Sequence, residues 1–406
     1  MTIAVGPAKQ LRFKKETSWG TAAGTSGGQL LRRVTSDIDL SKDTYESAEI
    51  TSTYQVTDFR HGMRKVGGTI KGELSPGAYS AFVGSALRRD FSTVTASTGL
   101  SLTFAGTGPT YTVSRGTSGS FLTDGWKVGM VVRVTVGTGA NSNNLNKNLL
   151  ITSLVAGTAT VIPGGNGTLT AEGPISSCTM QPTGKITYVP ASSHTNDSYT
   201  IEHWFSDISQ DEYFTGCKIA SLDLNLPPTG MATIDVGVMG KDITTGTAAY
   251  FSSPSAATTT GVLAAVNGVL QVNGTTVGIV TGLSIKVDGG MSTGAVVGSN
   301  YTPDVFPGRV KVSGQLSAYF QDATMRDLFV DETTFAINAV FYTGSSATAD
   351  FVAITLPACK AGGATKSDGE QGLQLTMPFT ALYNSSGGSG ISSEATTIWI
   401  QDSQAA

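Results

Sequence analysis

The sequence predicts an all-β fold with minor α content, and three observations carry that prediction. Only 14% of the 406 residues are charged, while glycine alone reaches 50. Few charges with many turn formers and β-branched residues favour short strands. Apolar residues, 39% of the chain, fall largely in alternating runs such as "RKVGGTIKGEL" and "ATIDVGVMG". Such runs bury a core and argue against a disordered Gly/Ser-rich chain. Helical spacing stands out in two places, and these two belong to an internal duplication.

The first helix signal is "ELSPGAYSAFVGSALRRDF", Glu73–Phe91. Ser75 suits an N-cap and Pro76 the first helical position, where its missing N–H costs nothing. Tyr79, Phe82, Val83, Ala86 and Leu87 then form one apolar stripe, with Arg88 and Arg89 in the last turn. The second signal, "QDATMRDLFVDE" (Gln321–Glu332), is fainter, with Asp322 as N-cap and Met325, Leu328 and Phe329 as the stripe.

An offset of 246 aligns more than the helices: Asp58 meets Asp304, Gly62 meets Gly308, Val66 meets Val312, Gly68 meets Gly314 and Ile70 meets Leu316. Beyond the helix the offset drops. "YTIEHWF" answers "FAINAVF" at 136, and "ATIDVGVMG" answers "LQLTMPFTA" at 141. The first half therefore carries about 110 extra residues, a figure set by that change of offset. The chain divides accordingly. Residues 1–95 with 191–243 form a first β-sandwich or barrel, and residues 96–190 form an inserted small β-module. Residues 244–260, "TTGTAAYFSSPSAATTT", read as a linker, residues 261–395 as a second sandwich with its own helix, and residues 396–406 as a C-terminal tail. Because insertions survive at exposed loop tips, the module is expected to project outward.

Signals for chemistry are sparse. The net charge is −4 and no dense basic cluster exists, so nucleic acid is not gripped tightly. "KQLRFKK" (Lys9–Lys15) comes nearest and reads as a solvated arm. Cys178, Cys217 and Cys359 are widely spaced and odd in number, which argues against disulfides and zinc. His61, His194 and His203 form no metal or catalytic spacing. "GTSGG" (Gly24–Gly28) fits a nucleophile elbow formally but lacks the flanking strand and helix. No run is long enough to span a membrane, and the N-terminus lacks the apolar core of a signal peptide. No enzyme activity, catalytic residue, metal or cofactor is expected, and synthesis in the cytoplasm is.

"ESAEITSTYQVTDFRHGMRKVGGTIKGELSPGAYSAFVGSALRRDF" (Glu46–Phe91) resembles the major tail tube proteins of long, flexible-tailed (siphovirus-type) double-stranded DNA bacteriophages. "FKKETSWGT", "YTIEHWFSDISQDEYFTGCKIASLDLNLPPTGMATIDVGVMGKD" and "GLQLTMPFTALYN" extend the likeness over both halves, while residues 96–190 depart from it. The resemblance implies β-sandwiches, each with a flanking helix, joined into stacked rings. The product is the hollow tube of the virion tail, through which DNA passes at ejection. It also implies tape measure, tail terminator and baseplate proteins as partners. A receptor-binding or adhesive β-sandwich, a decoration protein and a polysaccharide-degrading enzyme with paired carboxylates are the alternatives.

Three expectations follow from that reading. Ile38, Leu40, Leu222 and Leu224 mark the buried side of their strands, so Asp37, Asp39, Asp223 and Asp235 share the opposite face and are candidates for the channel wall. The polar segments 41–65 and 289–309 are candidates for contacts between successive rings. They include Asp43, Tyr45, Glu46, Glu49, Asp58, Arg60, Asp304 and Arg309. The N-terminal arm through Gly20 and the tail after Asn384 are further candidates. Two tandem sandwiches per chain suggest a trimeric ring with pseudo-sixfold symmetry, a hexamer being the competing arrangement.

Overall fold

Alternating side chains decide which face of each strand turns inward, and in the computed structural model those faces close on one another. It describes residues 3–116, 119–385 and 395–406. The chain opens with β1 (Lys9–Lys15), β2 (Gln29–Leu31), β3 (Thr35–Ser36), β4 (Asp39–Glu46), β5 (Phe59–Glu73) and helix α1 (Ser80–Leu87). Next come β6 (Ser97–Ala105), β7 (Tyr111–Arg115), β8 (Val131–Thr138), β9 (Leu149–Leu154), β10 (Thr158–Pro163) and β11 (Glu172–Pro182). The first half resumes with β12 (Lys185–Tyr188), β13 (Tyr199–Phe205), β14 (Gln210–Leu226), β15 (Thr233–Gly240) and β16 (Asp242–Gly246). The second half holds β17 (Gly268–Val272), β18 (Thr275–Thr276), β19 (Val280–Asp288), β20 (Ser292–Thr293), β21 (Val305–Phe306) and β22 (Lys311–Tyr319). Helix α2 (Thr324–Val330), β23 (Phe335–Tyr342), β24 (Phe351–Ala361), β25 (Thr365–Lys366), β26 (Gln374–Ala381) and β27 (Trp399–Asp402) complete it. The fold is mostly β with minor α, and among the described residues no helix is long and apolar enough to cross a membrane.

One antiparallel sheet runs through both halves in the order β4, β5, β15, β14, β19, β22, β26. The end of β24 and β25 follow β26 at its far edge. Behind this shared sheet stand two outer sheets, β2-β1-β13-β14-β16 and β17-β23-β24-β27-β12. Strand β14 is 17 residues long and serves both layers, as β24 does in the second half. Phe82, Ile219, Leu222, Ile285, Leu316, Met377 and Ile400 belong to one core cluster that spans the halves. Each such side chain contributes about 1.5–3 kcal/mol when fully buried, so the halves are held as a unit.

Helix α1 begins at Ser80, later than the Pro76 start expected from the sequence. The cause is Gly77, which is left-handed (φ +78°) and donates its N–H to the Asp402 carboxylate at 2.8 Å. A Cβ there would meet the Gln404 carbonyl at 2.7 Å. Ser75 is consequently a buried turn residue and no helix cap. Tyr79, Phe82, Val83 and Leu87 are buried, with the Phe82 ring 4.7 Å from Phe13 and 5.3 Å from Tyr199. In α2, Asp322 accepts the Thr324 N–H at 2.9 Å, and Met325 and Leu328 are half-buried against the core. Phe329, assigned to the buried stripe from its spacing, is instead 41% exposed.

Three further expectations need correction. "KQLRFKK" is strand β1 of an outer sheet, with Leu11 and Phe13 in the core and Arg12 paired with buried Glu202. Residues 244–260 do not hang free. They begin in β16, then lay Tyr250 on Tyr213 at 4.1 Å between centroids and bury Phe251. Glu202 accepts the Tyr250 and Phe251 N–H groups, so this segment roofs the outer sheet of the first half. Residues 399–402 are no tail but the buried strand β27, inserted between β24 and β12.

Strands β6 to β11 close into a barrel in the order β10-β7-β6-β11-β8-β9. The barrel is not an appendage. Its Val131 and Leu150 pack on Val340, Tyr342, Phe351 and Ala353 of the second half. The Gln401 side-chain amide bonds both the N–H and the C=O of Val131, at 2.9 and 2.8 Å. Asn148 and Arg133 donate to the carbonyls of Ala349 and Thr348. A module that enters from the first half therefore roofs the second.

Burial raises the Asp402 pKa to about 6, against backbone N–H donors that favour its charge and Asp350 nearby that opposes it. The folded state then holds a proton that the unfolded chain releases near pH 4, so stability falls as pH rises from about 4 to about 6 and stays lower above that. The Asp402→Asn variant lacks this titration. The stability of wild type relative to that variant should drop by about 2 kcal/mol between pH 4 and pH 7 in thermal melts. A pH-independent difference refutes the assignment.

Candidate assembly surface

The shared sheet has one face in the core and one face bare. Along its middle, Lys71 lies opposite Asp235, Asp235 opposite Asp223, and Asp223 opposite Lys286. The Lys71–Asp235 and Lys286–Asp223 pairs measure 3.4 and 3.6 Å. Asp223 and Asp235 thus share the bare face, as their alternation with Leu222, Leu224, Ile234 and Val236 requires. Asp37 and Asp39 lie exposed near the β4 edge, where Asp37 accepts the Thr69 N–H at 2.5 Å and Asp39 the Leu40 N–H at 2.7 Å. The face is less acidic than the aspartates alone suggested, because register places a lysine beside each member of the central pair. Lys71 and Lys286 were missed in the sequence, since only cross-strand pairing sets them against carboxylates.

Both ends of this sheet are open. Among the described residues strand β4 pairs with β5 alone, whereas its counterpart β19 is bonded on both sides. At the other end residues 360–366 pair, among the described residues, with β26 alone, whereas the wall portion of β14 lies between β15 and β19. Segment 41–65 proves to be mainly a hairpin, with Ser41–Glu46 paired to Phe59–Lys65 and only 47–58 as its tip. Asp43 pairs with Lys65 at 2.9 Å, and the exposed Tyr45 ring lies across Gly62, where a Cβ would meet it at 2.3 Å. Glu46 and Glu49 are exposed, and Asp58 binds Arg60 at 2.7 Å. Ile50, Tyr54 and Val56 stand out on the tip as exposed apolar groups.

The matching segment of the second half is tied down. Lys218, fully buried, donates to the Asp304 carboxylate at 2.7 Å and the Val305 carbonyl at 2.8 Å. Arg64 donates to the Tyr301 hydroxyl and pairs with Asp242, while Arg88 donates to the carbonyls of Gly289 and Gly308. Asp304, a candidate for contacts between rings, is therefore committed inside the chain, and Arg309 is exposed. The N-terminal arm is committed likewise, through β1. Of the tail after Asn384, residues 386–394 lie outside the described residues.

No cluster of three or more His, Cys, Asp or Glu able to hold a metal occurs among the described residues. His203 is buried, bonded to Ser36 at 2.9 Å, and pushed down to about pKa 3 by burial and then by Lys9 and Arg33. The three cysteines are free and buried, which raises their thiol pKa values. Asp211 is also raised, by burial and by the Glu202 carboxylate beside it. Cys178 is enclosed in the barrel core, and the other groups by the packing of the two halves, rather than turned toward an open site. A family model described as "Phage tail tube protein" matches residues 6–381. No curated protein matches the chain.

Proposed function

The chain belongs to the phage tail tube protein family, a structural family of the virion tail whose members assemble into the tube, and from that we propose a ring of three copies with six pseudo-equivalent positions. The observation that carries this reading is the β14–β19 pairing, which joins the two halves side by side in one sheet. Two repeats that share a wall fill a circumference in pairs, and head-to-tail contact between chains closes it. A core common to both halves supports this over the competing six-chain ring, which would hold the second half outward as decoration.

In this reading the bare face of the shared sheet lines the channel. Asp37, Asp39, Asp223 and Asp235 would present carboxylates to passing DNA, with Lys71 and Lys286 moderating the field, so that phosphate is neither gripped nor strongly expelled. The hairpin tip at residues 47–58 would reach the next ring, and the barrel would lie on the outer side of the tube. Tape measure, tail terminator and baseplate proteins are the proposed partners inside and at the ends. No catalytic role is proposed. Tubes reconstituted from purified chain and averaged in cross-section should have three chains around one lumen; six chains refute the arrangement.

A further inference from the structure

Resting on the three-chain reading, we infer that neighbouring chains meet by repeating the junction inside one chain, with Asp58 of one copy bound to Lys360 of the next. Within the chain that junction depends on Lys218 and Asp304. Strand register fixes the counterpart of Lys218. Tyr199 lies opposite Cys217 as Phe335 lies opposite Cys359, and Lys218 lies opposite Met239 as Lys360 lies opposite Thr380. The 246-residue repeat fixes the counterpart of Asp304 as Asp58. Lys360 is exposed and makes no ion pair among the described residues, and Asp58, 49% exposed, pairs only with Arg60 two positions on. One pair is satisfied in the middle of the chain, and the two partners of the other sit at its opposite ends.

The strand edges point the same way. Leu40 lies opposite Val66 as Val287 lies opposite Val312, and Lys366 lies opposite Leu375 as Leu224 lies opposite Ile234. Copying the Asp223–Lys286 opposition of the internal junction sets Thr365 against Asp39 of the next copy. Two bare antiparallel edges then pair and disappear, which removes the liability that open edges carry. Helix α2 adds an independent mark. Val83 of α1 lines a cleft with Ile354 and Ile400 of the other half, whereas its counterpart Phe329 is exposed. The Arg88 clamp is not repeated, since Thr334 stands at the matching position, so the seam between chains has one tie fewer.

Asp58→Lys and Lys360→Asp should each lower the sedimentable tube fraction about tenfold, and the double reversal should restore it to within about twofold. Circular dichroism of each single variant should match wild type, because both sites are exposed. A chain carrying Asp39→Cys and Thr365→Cys should oxidise within tubes to a covalent trimer on a non-reducing gel, while Asp39→Cys with Ser367→Cys, two residues out of register, should not. The native thiols are buried and contribute no background. Three-chain rings with neither rescue nor the in-register cross-link overturn the seam and leave the ring reading intact. Six chains per ring overturn both.

Discussion

Replacing residues 48–56 with two glycines should leave a folded chain that forms no tubes. The tip they form carries the exposed Ile50, Tyr54 and Val56, and nothing in the core depends on it. The hairpin stem survives the deletion, because its last bond, from the Ser47 N–H to the Asp58 carbonyl, lies outside the excised stretch. If the tip seats in the next ring, these three side chains forfeit about 1.5–3 kcal/mol each per contact. That loss recurs at every copy in a ring, so polymer should fall below detection in sedimentation and electron microscopy. The melting temperature should stay within about 2 °C of wild type, as expected for a change that costs the fold little. Normal tubes from this variant would remove the tip from the stacking contact.

The second large effect is expected from the barrel. Excision of residues 97–182, with β12 kept and a short Gly/Ser bridge, uncovers Val340, Tyr342, Phe351 and Ala353 and leaves the Gln401 amide without Val131. That apolar exposure, with the two lost hydrogen bonds to Val131, costs on the order of 5 kcal/mol. The excised chain should melt at least about 10 °C lower, bind a hydrophobic dye and aggregate before it polymerises. A free-standing decoration would instead leave the melt unchanged. An unaltered melting temperature with normal tubes would show that the docked face contributes nothing.

Much of the fold was legible because its causes are local. Period-2 alternation marked "RKVGGTIKGEL" and "LDLNL" as strands with a definite buried side, and Ile38, Leu222 and Leu224 are buried as that pattern requires. The duplication was visible because two copies of one packing problem keep the same spacing of core residues, Val66 with Val312 and Ile70 with Leu316. Composition misled where a few residues outweighed many. In "TTGTAAYFSSPSAATTT" the small polar majority suggested a linker, yet Tyr250, Phe251 and the distant Glu202 hold the segment as a roof. Likewise "TIWI" stands at a polar terminus whose composition reads as a tail, although Trp399 and Ile400 belong to the strand that fills the gap between β24 and β12.

The sequence by itself determined the alternating core strands such as Ala232–Gly240, the two helices, the repeat and the lack of a recognisable catalytic or metal motif in the sequence, since each follows from side chains within a few residues of one another. Tertiary structure alone decided that the halves share a sheet through β14 and β19, that lysines 71 and 286 temper the aspartate pair, and that the inserted barrel covers the half it does not interrupt. The reason is the length of chain between the partners. Lys218 and Asp304 are 86 residues apart, and Val131 and Gln401 are 270 apart. No local pattern records a contact made across such distances, because each partner must satisfy only its own strand until folding brings the two together.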